Sequence, residues 1–250
     1  MNVTAEPEIR KMSNKKPGPF GPDFACILPI NKPIGKTSFS LVSRLRKHLG
    51  IQKIGHSGTL DPFASGVMVM LIGRKYTRLS DTFLNADKEY IAGLKLGITT
   101  DSFDCDGAVT GESETVPSDA MVTEALAQFQ GTILQTPPMF SAKKQNGKKL
   151  YELARQGIVV DRPAVSVTLS TDQIQYTYPE LDLRVACSKG TYIRSIADDL
   201  GKILTCGAHL IRLQRTRSGN FSLDRCFDGN LLYQEEIDSS LLKEYCIFPE

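Results

Sequence analysis

The thirteen residues Gly55-His56-Ser57-Gly58-Thr59-Leu60-Asp61-Pro62-Phe63-Ala64-Ser65-Gly66-Val67 predict a rigid turn that presents a single carboxylate. Pro62 disfavours the helical region for Asp61 and pushes its backbone toward an extended conformation. The glycines in this stretch permit tight bends and let another part of the chain approach closely. We therefore expect a loop in which neither a helix nor a strand continues. Acids held on rigid loops of this kind are frequent sites of chemistry.

Charge is distributed unevenly along the chain, although the formal net charge is only +2. Residues 101–124 carry seven acidic residues and no Lys or Arg. Basic residues cluster elsewhere, at Arg44, Arg46, Lys47 and Lys53, at Arg74, Lys75 and Arg78, at Lys143, Lys144, Lys148, Lys149 and Arg155, and at Arg212, Arg215 and Arg217. A solvated surface explains any one cluster taken alone, but together they are compatible with a basic face that binds a polyanion.

The sequence argues against several classes of function. The six cysteines form no Cys-x-x-Cys pair and the three histidines show no metal-ligand spacing, so we expect no metal. Gly35-Lys36-Thr37 resembles the end of a phosphate-binding loop, but Ile30 occupies the place of the required glycine. Since no Gly-x-Gly-x-x-Gly run follows a strand, we expect no cofactor. Without an apolar run of about 20 residues or a secretory signal, the chain is expected to be cytoplasmic and not membrane-bound.

Hydrophobic periodicity predicts a chain with more strands than helices. The expected strands cover 26–30, 67–72, 89–98, 163–178, 181–187 and 209–217. The expected helices cover 38–49, 74–84, 119–130, 148–156 and 191–204. Ser38 is expected to cap the first helix and Gly50 to end it, and 101–119 is expected to be a loop or small excursion. Because no regular βαβ alternation is present, we predict an α+β fold with a mixed, mainly antiparallel sheet flanked by helices.

Four residues are candidates for chemistry, although each has an ordinary structural explanation. Asp61 before a proline is usually a turn residue, and His56 suits a hydrogen-bonded turn. Tyr90 suits the surface of a sheet. Arg194, four residues before Asp198, suits an exposed helical ion pair that contributes about 0.3–0.5 kcal/mol. The order and sequence context of these residues point to a common site.

Seven ordered segments resemble the TruB-type tRNA pseudouridine synthases. They are residues 55–67, Lys32-Pro33, Asp87-Lys88-Glu89-Tyr90, Pro138 to Gly157, Cys187-Ser188-Lys189-Gly190-Thr191-Tyr192-Ile193-Arg194, Asp198-Asp199-Leu200-Gly201 and Cys206-Gly207-Ala208-His209. The match at 138–157 is specific to the bacterial form. The resemblance covers roughly residues 26–217. It implies the pseudouridine synthase fold, with an active-site cleft across the sheet.

The resemblance also implies a reaction. A uridine in the tRNA T-loop, at position 55, would be isomerised to pseudouridine: the uracil leaves the ribose through its nitrogen, turns, and rejoins through a ring carbon. The partner would be the T-arm of tRNA, without a small-molecule cosubstrate. Because the target uridine lies in a folded loop, its base must be flipped out at a cost of a few kcal/mol.

Individual roles follow from the same resemblance. Asp61 matches the nucleophile, Tyr90 the residue that stacks on the target base, and Arg194 the arginine that pairs with the catalytic carboxylate. The substrate-binding positions are His56, Tyr192, Leu213 and Lys32. Of these, Lys32 belongs to a motif expected to support the active-site loop rather than to react.

Elementary electrostatics is consistent with the pairing of Asp61 and Arg194. Burial raises the pKa of an aspartate, whereas an adjacent guanidinium lowers it by about 1–3 units. Arg194 is therefore expected to keep Asp61 ionised in a dry pocket. Stacking on Tyr90 would return about 1–3 kcal/mol of the cost of base extrusion. The sequence leaves open whether Asp61 attacks the base or the sugar.

The expected organisation is a flexible tail at 1–24, a catalytic domain at 25–217 and a short C-terminal extension at 218–250. The extension is too short and too acidic for a full PUA domain, so it should pack on the catalytic domain or be a minimal remnant. Segment 141–157 is either a basic thumb that crosses the RNA or a plain solvated hairpin. We expect a monomer.

Two alternatives remain at this point. The chain could be an RNA-binding protein that acts as a tRNA-folding chaperone and needs no turnover. It could instead be a pseudouridine synthase for another RNA, such as an H/ACA-guided relative. The bacterial-type match at 138–157 disfavours the second alternative.

Overall fold

The computed structural model describes residues 20–21, 23–141, 143–145 and 147–249. Most of the predicted tail, residues 1–19 and 22, lies outside this range, as do Ala142 and Asn146 of segment 141–157 and the last residue of the chain. Packed structure begins within the predicted tail rather than at residue 25. Phe20 is buried, and its ring centroid lies 4.4 Å from that of Phe24.

The described residues form fourteen strands, most of them in one sheet. Their bounds are β1 Cys26–Lys32, β2 Ile54–Ser57, β3 Ser65–Ile72, β4 Lys88–Leu96, β5 Ile98–Thr100, β6 Val109–Glu112, β7 Gly131–Gln135, β8 Lys144–Gln145, β9 Lys148–Lys149, β10 Val165–Thr177, β11 Glu180–Cys187, β12 Ala208–Ser218, β13 Phe221–Ser222 and β14 Phe227–Asp228. The main sheet runs β14-β1-β3-β12-β4-β11-β10-β7, with β2 paired to β3 and β13 paired to β12. Only β1–β14 and β3–β12 are parallel among the described pairs of this sheet, which confirms the predicted mixed, mainly antiparallel architecture.

Helices flank this sheet. Their bounds are α1 Ser38–Leu49, α2 Gly73–Thr77, α3 Ser80–Leu84, α4 Asp119–Leu126, α5 Leu150–Ala154, α6 Ile193–Ile203 and α7 Ser239–Glu244, with 3₁₀ turns at Leu223–Arg225 and Gly229–Tyr233. The single helix predicted over 74–84 is wrong, since α2 ends at Thr77 and α3 starts at Ser80. The Thr77 hydroxyl donates to the carbonyl of Gly73 at 3.1 Å, a local bond of the kind that bends and interrupts short helices.

The cap predicted for α1 is displaced by one residue. Thr37, not Ser38, accepts the hydrogen bond from Ser40 N, at 3.1 Å. Ser38 is already helical and is buried. Gly50 ends the helix as predicted, with φ of 73° and a 3.0 Å bond from its N–H to Arg46 O. The displacement leaves the Ser38 hydroxyl free to hold a different segment, as described below.

Both faces of β1 and β3 are buried. One face contributes residues such as Leu28 and Met70 to the main core, which also contains residues of α1, α4 and α6. The other face packs Ile27 and Val69 against Tyr76 of α2. This burial explains the continuous apolar run at 67–72, since a strand covered on both sides needs no polar alternation. No helix within the described ranges is both long enough and apolar enough to span a bilayer.

The C-terminal extension packs on the sheet. β14 pairs with β1, and Ile27 and Ile247 exchange backbone hydrogen bonds of 2.9 and 2.8 Å. Leu232 and Leu242 are buried in the main core. Of the two expectations for this extension, packing on the catalytic domain is the one observed.

The same contact brings two thiols together. The Sγ atoms of Cys26 and Cys246 lie 2.7 Å apart, with Cys26 fully buried and Cys246 half-buried. The hydrogen bond between them lowers the pKa of Cys246 and raises that of Cys26. Cys246 is therefore the more nucleophilic thiol at neutral pH.

We expect glutathione disulfide to oxidise this pair. Cys246 would attack the reagent and release one glutathione thiol, and Cys26 would then displace the second to form the disulfide. Intact mass measured without reductant should show the loss of two hydrogens, and the unfolding free energy should rise by about 2–4 kcal/mol. Cys246→Ser is the control. A stable glutathione adduct on Cys246 in place of the disulfide would contradict the expectation.

Candidate active site

A cleft of about 1130 Å³ opens beside the loop that follows β2. Its walls come from the loop, from β4 and β12, from 101–108, from 137–155 and from the start of α6. Five of the seven site residues predicted from the sequence line it: Asp61, Tyr90, Tyr192, Arg194 and Leu213. Lys32 and His56 are not among the lining residues.

The loop itself is shorter than predicted. The stretch 55–67 was expected to exclude strands, but β2 extends to Ser57 and β3 begins at Ser65 because the two strands pair with each other. The loop is therefore 58–64. Asp61 lies at its centre, and its carbonyl accepts a turn hydrogen bond from Ala64 N at 3.1 Å.

Polar groups of residues 32, 35 and 38 hold the backbone of this loop in place. The Ser38 hydroxyl donates to Leu60 O at 3.1 Å and accepts from Leu60 N at 3.0 Å. Gly35 N donates to Pro62 O at 2.8 Å. Lys32 Nζ donates to Pro62 O at 3.3 Å, and also to the carbonyls of residues 33 and 36. Ser38, Gly35 and Lys32 each make at least one bond to the backbone of residues 60 or 62, so the position of Asp61 is set by the fold.

Lys32 is fully buried beneath the loop. Burial lowers the pKa of its ammonium to about 8, although the nearby charge of Asp61 opposes the change. Its three carbonyl contacts fit a supporting role and do not expose it to a ligand in the cleft.

Arg194 uses all of its N–H groups within the site. Nε lies 3.0 Å from Asp61 Oδ2, and Nη2 donates to Asp61 Oδ1 at 3.3 Å. Nη2 also donates to Phe140 O at 2.7 Å, while Nη1 donates to Ser102 O at 3.1 Å and lies 3.3 Å from Asp104 Oδ2. The guanidinium thus joins loop 58–64 to two other walls of the cleft, and its two-pronged contact orients the Asp61 carboxylate.

Asp104 is a member of the site that the sequence did not indicate. It belongs to the acidic segment predicted to be a loop or small excursion, yet it is only 4% exposed. Its Oδ1 accepts from Ser102 Oγ and from Asp106 N.

The alternative in which Arg194 pairs with Asp198 is wrong, since Asp198 pairs with Lys202.

The electrostatic balance at Asp61 differs from the expectation. Burial raises the pKa of this carboxyl, Arg194 and Lys32 lower it, and the charges of Asp104 and Asp106 raise it again. The net effect is a raised pKa. Arg194 therefore opposes the effect of burial without cancelling it.

Tyr90 and Leu213 form an apolar surface beside Asp61. In the register of β4 and β12, Tyr90 lies opposite Arg215 and Ala92 lies opposite Leu213, so all four side chains share one face of the sheet. Tyr90 is 8% exposed, and burial raises the pKa of its phenol despite the opposing charge of Arg215. A neutral aromatic ring consequently lines the cleft.

Tyr192 is held through its backbone. The side chain of Gln135 accepts from Tyr192 N at 2.8 Å and donates to Tyr192 O at 3.1 Å. Gln135 is buried at the end of β7. This pair of bonds fixes the start of α6, two residues before Arg194.

His56 lies in β2, just before the loop. It is half-buried, and Nδ1 has no hydrogen-bond partner within the described part of the chain. Burial and the charge of Arg215 lower its pKa, so the imidazole is neutral at neutral pH.

Arg215 is a second residue whose place the sequence-based prediction missed. It was grouped with Arg212 and Arg217 as a basic surface cluster, but it is 1% exposed and lines the cleft. Arg212 does lie at the surface, where it pairs with Glu180 and Asp182. Alternation within the predicted strand 209–217 places Arg215 on the same face as Leu213, and this signal was present in the sequence.

Gly66 marks a close approach between β3 and β12. Its φ is +109°, and an added Cβ would lie 2.6 Å from Arg215 N and closer still to Arg215 O. We expect Gly66→Ala to destabilise the fold by about 3 kcal/mol or more, because both contacts are with backbone that has no room to move.

Gly157→Ala is the matched control. Gly157 also has a positive φ, of +71°, but an added Cβ would meet nothing within 4 Å. It should cost about 1–2 kcal/mol from the left-handed backbone alone. Urea unfolding measures both variants, and equal losses would show that the crowding at Gly66 has no energetic consequence.

Comparison with known proteins agrees with this geometry. Residues 46–193 match the family described as "TruB family pseudouridylate synthase (N terminal domain)", and residues 194–246 match "tRNA pseudouridylate synthase B C-terminal domain". The boundary between the two matches falls at the start of α6, inside the region predicted as one catalytic domain. The chain belongs to the TruB family of pseudouridylate synthases.

Similar proteins include two named "tRNA pseudouridine synthase B". One, from Protochlamydia amoebophila, is 64% identical over 203 residues, which cover 81% of this chain and 78% of that protein. The other, from Chlamydia felis, is 59% identical over 214 residues, which cover 86% and 91%. A chain in the crystal structure of a Cbf5-Nop10-Gar1 complex is 28% identical with a TM-score of 0.67. The match covers 90% of the present chain but only 60% of that one.

Proposed function

We propose that the protein isomerises uridine to pseudouridine in the T-loop of tRNA, at position 55, with Asp61 as nucleophile. The observation that carries the proposal is the Asp61 carboxylate, which Arg194 orients from 3.0 Å at the wall of a cleft lined by Tyr90. The relatives named tRNA pseudouridine synthase B, at 64% and 59% identity, support the choice of tRNA as substrate.

The bond changes require a group of this kind. The N1–C1′ bond of uridine breaks, a C5–C1′ bond forms, the proton on C5 leaves and N1 gains one, so substrate and product have the same composition. A carboxylate next to the base or the sugar would divide this exchange into easier steps through a covalent intermediate. Asp61 has 34% of its side chain exposed to the cleft, so a reacting carbon has access to it.

The cleft suits an extruded nucleotide. Tyr90 and Leu213 present apolar surface beside Asp61, and Tyr192 lines the same space. Stacking of the base on Tyr90 would offset part of the cost of extrusion, by about 1–3 kcal/mol. In this proposal, neutral His56 braces the target base, and Lys32 stabilises loop 58–64 through its carbonyl contacts.

Segment 141–157 supplies one wall of the cleft. Lys143, Tyr151 and Arg155 line it, and a small core of Met139, Leu150 and Leu153 supports them. We infer that this wall, together with Lys189, which also lines the cleft, holds the phosphates of the T-arm. That the protein is monomeric and cytoplasmic stays a prediction.

Tritium release tests the proposal directly. The purified protein is incubated with a tRNA transcript that carries tritium at C5 of its uridines, and the modified position is then mapped by chemical labelling and primer extension. The expected result is release of one tritium per tRNA and a single pseudouridine at position 55. A transcript with cytidine at that position is the control. Absence of release, or modification elsewhere, would overturn the proposal.

The activity should depend on pH in a defined direction. Asp61 reacts as a carboxylate, and its pKa is raised, so it accepts a proton at a higher pH than a free Asp. The acid limb of the single-turnover rate should therefore lie above the ordinary Asp pKa of about 3.9. Rates measured at saturating protein and constant ionic strength check this. A constant rate down to pH of about 4 would contradict it.

A further inference from the structure

We propose that Arg215 is a positioning residue for this reaction, because its guanidinium ties together the two ends of the loop that carries Asp61 and its strand position lies opposite Tyr90. The inference rests on the proposed function. Within the described part of the chain, no hydrogen bond or ion pair joins Arg215 to Asp61, so Arg215 acts on that carboxylate through the loop.

The contacts of Arg215 define this role. Nη2 donates to Gly58 O at 3.1 Å, at the start of loop 58–64, and Nε donates to Val67 O at 2.6 Å, just beyond its end. Its backbone pairs with Gly66 in the parallel β3–β12 ladder. A planar guanidinium holds two acceptors at a fixed separation, which a lysine cannot do. One side chain thus sets the width of the loop at its base.

Tyr90 is joined to the same group. It lies opposite Arg215 in the β4–β12 register. Burial raises the pKa of the Tyr90 phenol, and the charge of Arg215 opposes the increase. The nucleophile loop and the stacking residue therefore share one rigid support.

The electrostatics of Arg215 indicate that stability alone does not explain it. Among the described residues it forms no ion pair, although it is only 1% exposed. Its charge lowers the pKa of Lys32, His56 and Lys88. A buried charge without a carboxylate partner is expensive, and an apolar residue of similar size is often as stable or more so. The buried guanidinium is therefore explained by its role in holding loop 58–64.

The consequence of losing this support is a misplaced nucleophile. A displacement of about 1 Å at a reacting group costs about 100-fold in rate. The other lining residues of the cleft remain, including the basic residues Lys143, Arg155 and Lys189, so tRNA binding should persist. We expect Arg215→Met to lower the single-turnover rate about 100-fold, with the dissociation constant for tRNA changed by less than about threefold.

Three variants test the inference. Arg215→Met removes the guanidinium, and Arg215→Lys keeps the positive charge without the planar group that holds two acceptors. Arg212→Met is the control, because Arg212 lies on the same strand but forms exposed ion pairs outside the cleft. Single-turnover rate, tRNA affinity by filter binding and melting temperature are measured for each. If Arg215→Met does not fold, the lysine variant decides, and it is expected to lose at least about 30-fold in rate.

Each outcome has a defined meaning. A large loss of rate with intact binding and fold in either Arg215 variant supports positioning. A rate within threefold of wild type in a folded variant overturns it. Rate, affinity and melting temperature that fall together in both variants also overturn it, in favour of a purely structural residue. A wild-type protein that leaves the tRNA unmodified counts against the proposed function itself, and this is established before any variant is measured.

Discussion

Asp61→Asn should abolish isomerisation while leaving tRNA binding intact. The amide keeps the shape of the side chain but lacks the nucleophilic carboxylate, so we expect the single-turnover rate to fall by at least about 10⁴-fold. Arg194 stays paired with Asp104, so the cleft should not collapse. Affinity for tRNA should stay within about threefold of wild type, because the basic wall of the cleft is unchanged.

The same variant separates an enzyme from a chaperone. A protein that acted only by refolding tRNA would keep that activity after Asp61→Asn, whereas an enzyme would lose isomerisation and retain tRNA binding. Asp172→Asn is the control, because Asp172 is exposed on β10 and away from the cleft lining. Wild-type turnover by the Asp61 variant would exclude Asp61 as nucleophile.

Arg194→Met should damage both stability and activity. It leaves Asp61 and the buried Asp104 without their shared cation, and the carbonyls of Ser102 and Phe140 lose their donor. Breaking a buried ion pair by removing one partner costs about 3–5 kcal/mol. The rate should fall about 10²–10³-fold, as for other residues that orient and stabilise a reacting charge.

The pH dependence of this variant provides a further check. Arg194 lowers the pKa of Asp61, so its removal raises that pKa further above the unfolded value. The folded state then binds more protons than the unfolded state between the two values, and its stability rises as pH falls through that window. Urea unfolding across this range should show the deficit relative to wild type shrinking at acidic pH. Adding Asp104→Asn to Arg194→Met should recover part of the loss, and no recovery would argue against the ion-pair explanation.

Local signals in the sequence account for much of the site. Pro62 and the glycines around Asp61 identify the loop, and the predicted strands over 89–98 and 209–217 include Tyr90 and Leu213. That these two strands are adjacent is seen only in the structure. Arg215 lies two residues after Leu213, so alternation places it on the same face of the strand. It was nevertheless assigned to a basic surface because of its charge. A charged residue in the middle of a predicted central strand is a better indicator of a buried function than of a basic surface.

Asp104 had no such signal. Its burial results from Arg194, which approaches from 90 residues later in the sequence, so the nearby acidic residues suggested only a solvated segment. The hairpin of β5 and β6 was missed for a related reason, since every residue of β6 is exposed and shows no alternation. Features created by contacts distant in sequence are the ones that composition and periodicity do not reveal.

A crystal structure of the Asp61→Asn protein with a T-arm stem-loop RNA tests the central claim most directly, because the variant leaves the uridine unreacted. We predict a target base that is extruded into the cleft and stacked on Tyr90, with a reacting carbon of the base or ribose within about 3.5 Å of the side chain at position 61. A target base that stays stacked in the RNA loop, or that binds away from Arg194 and residue 61, would contradict this account.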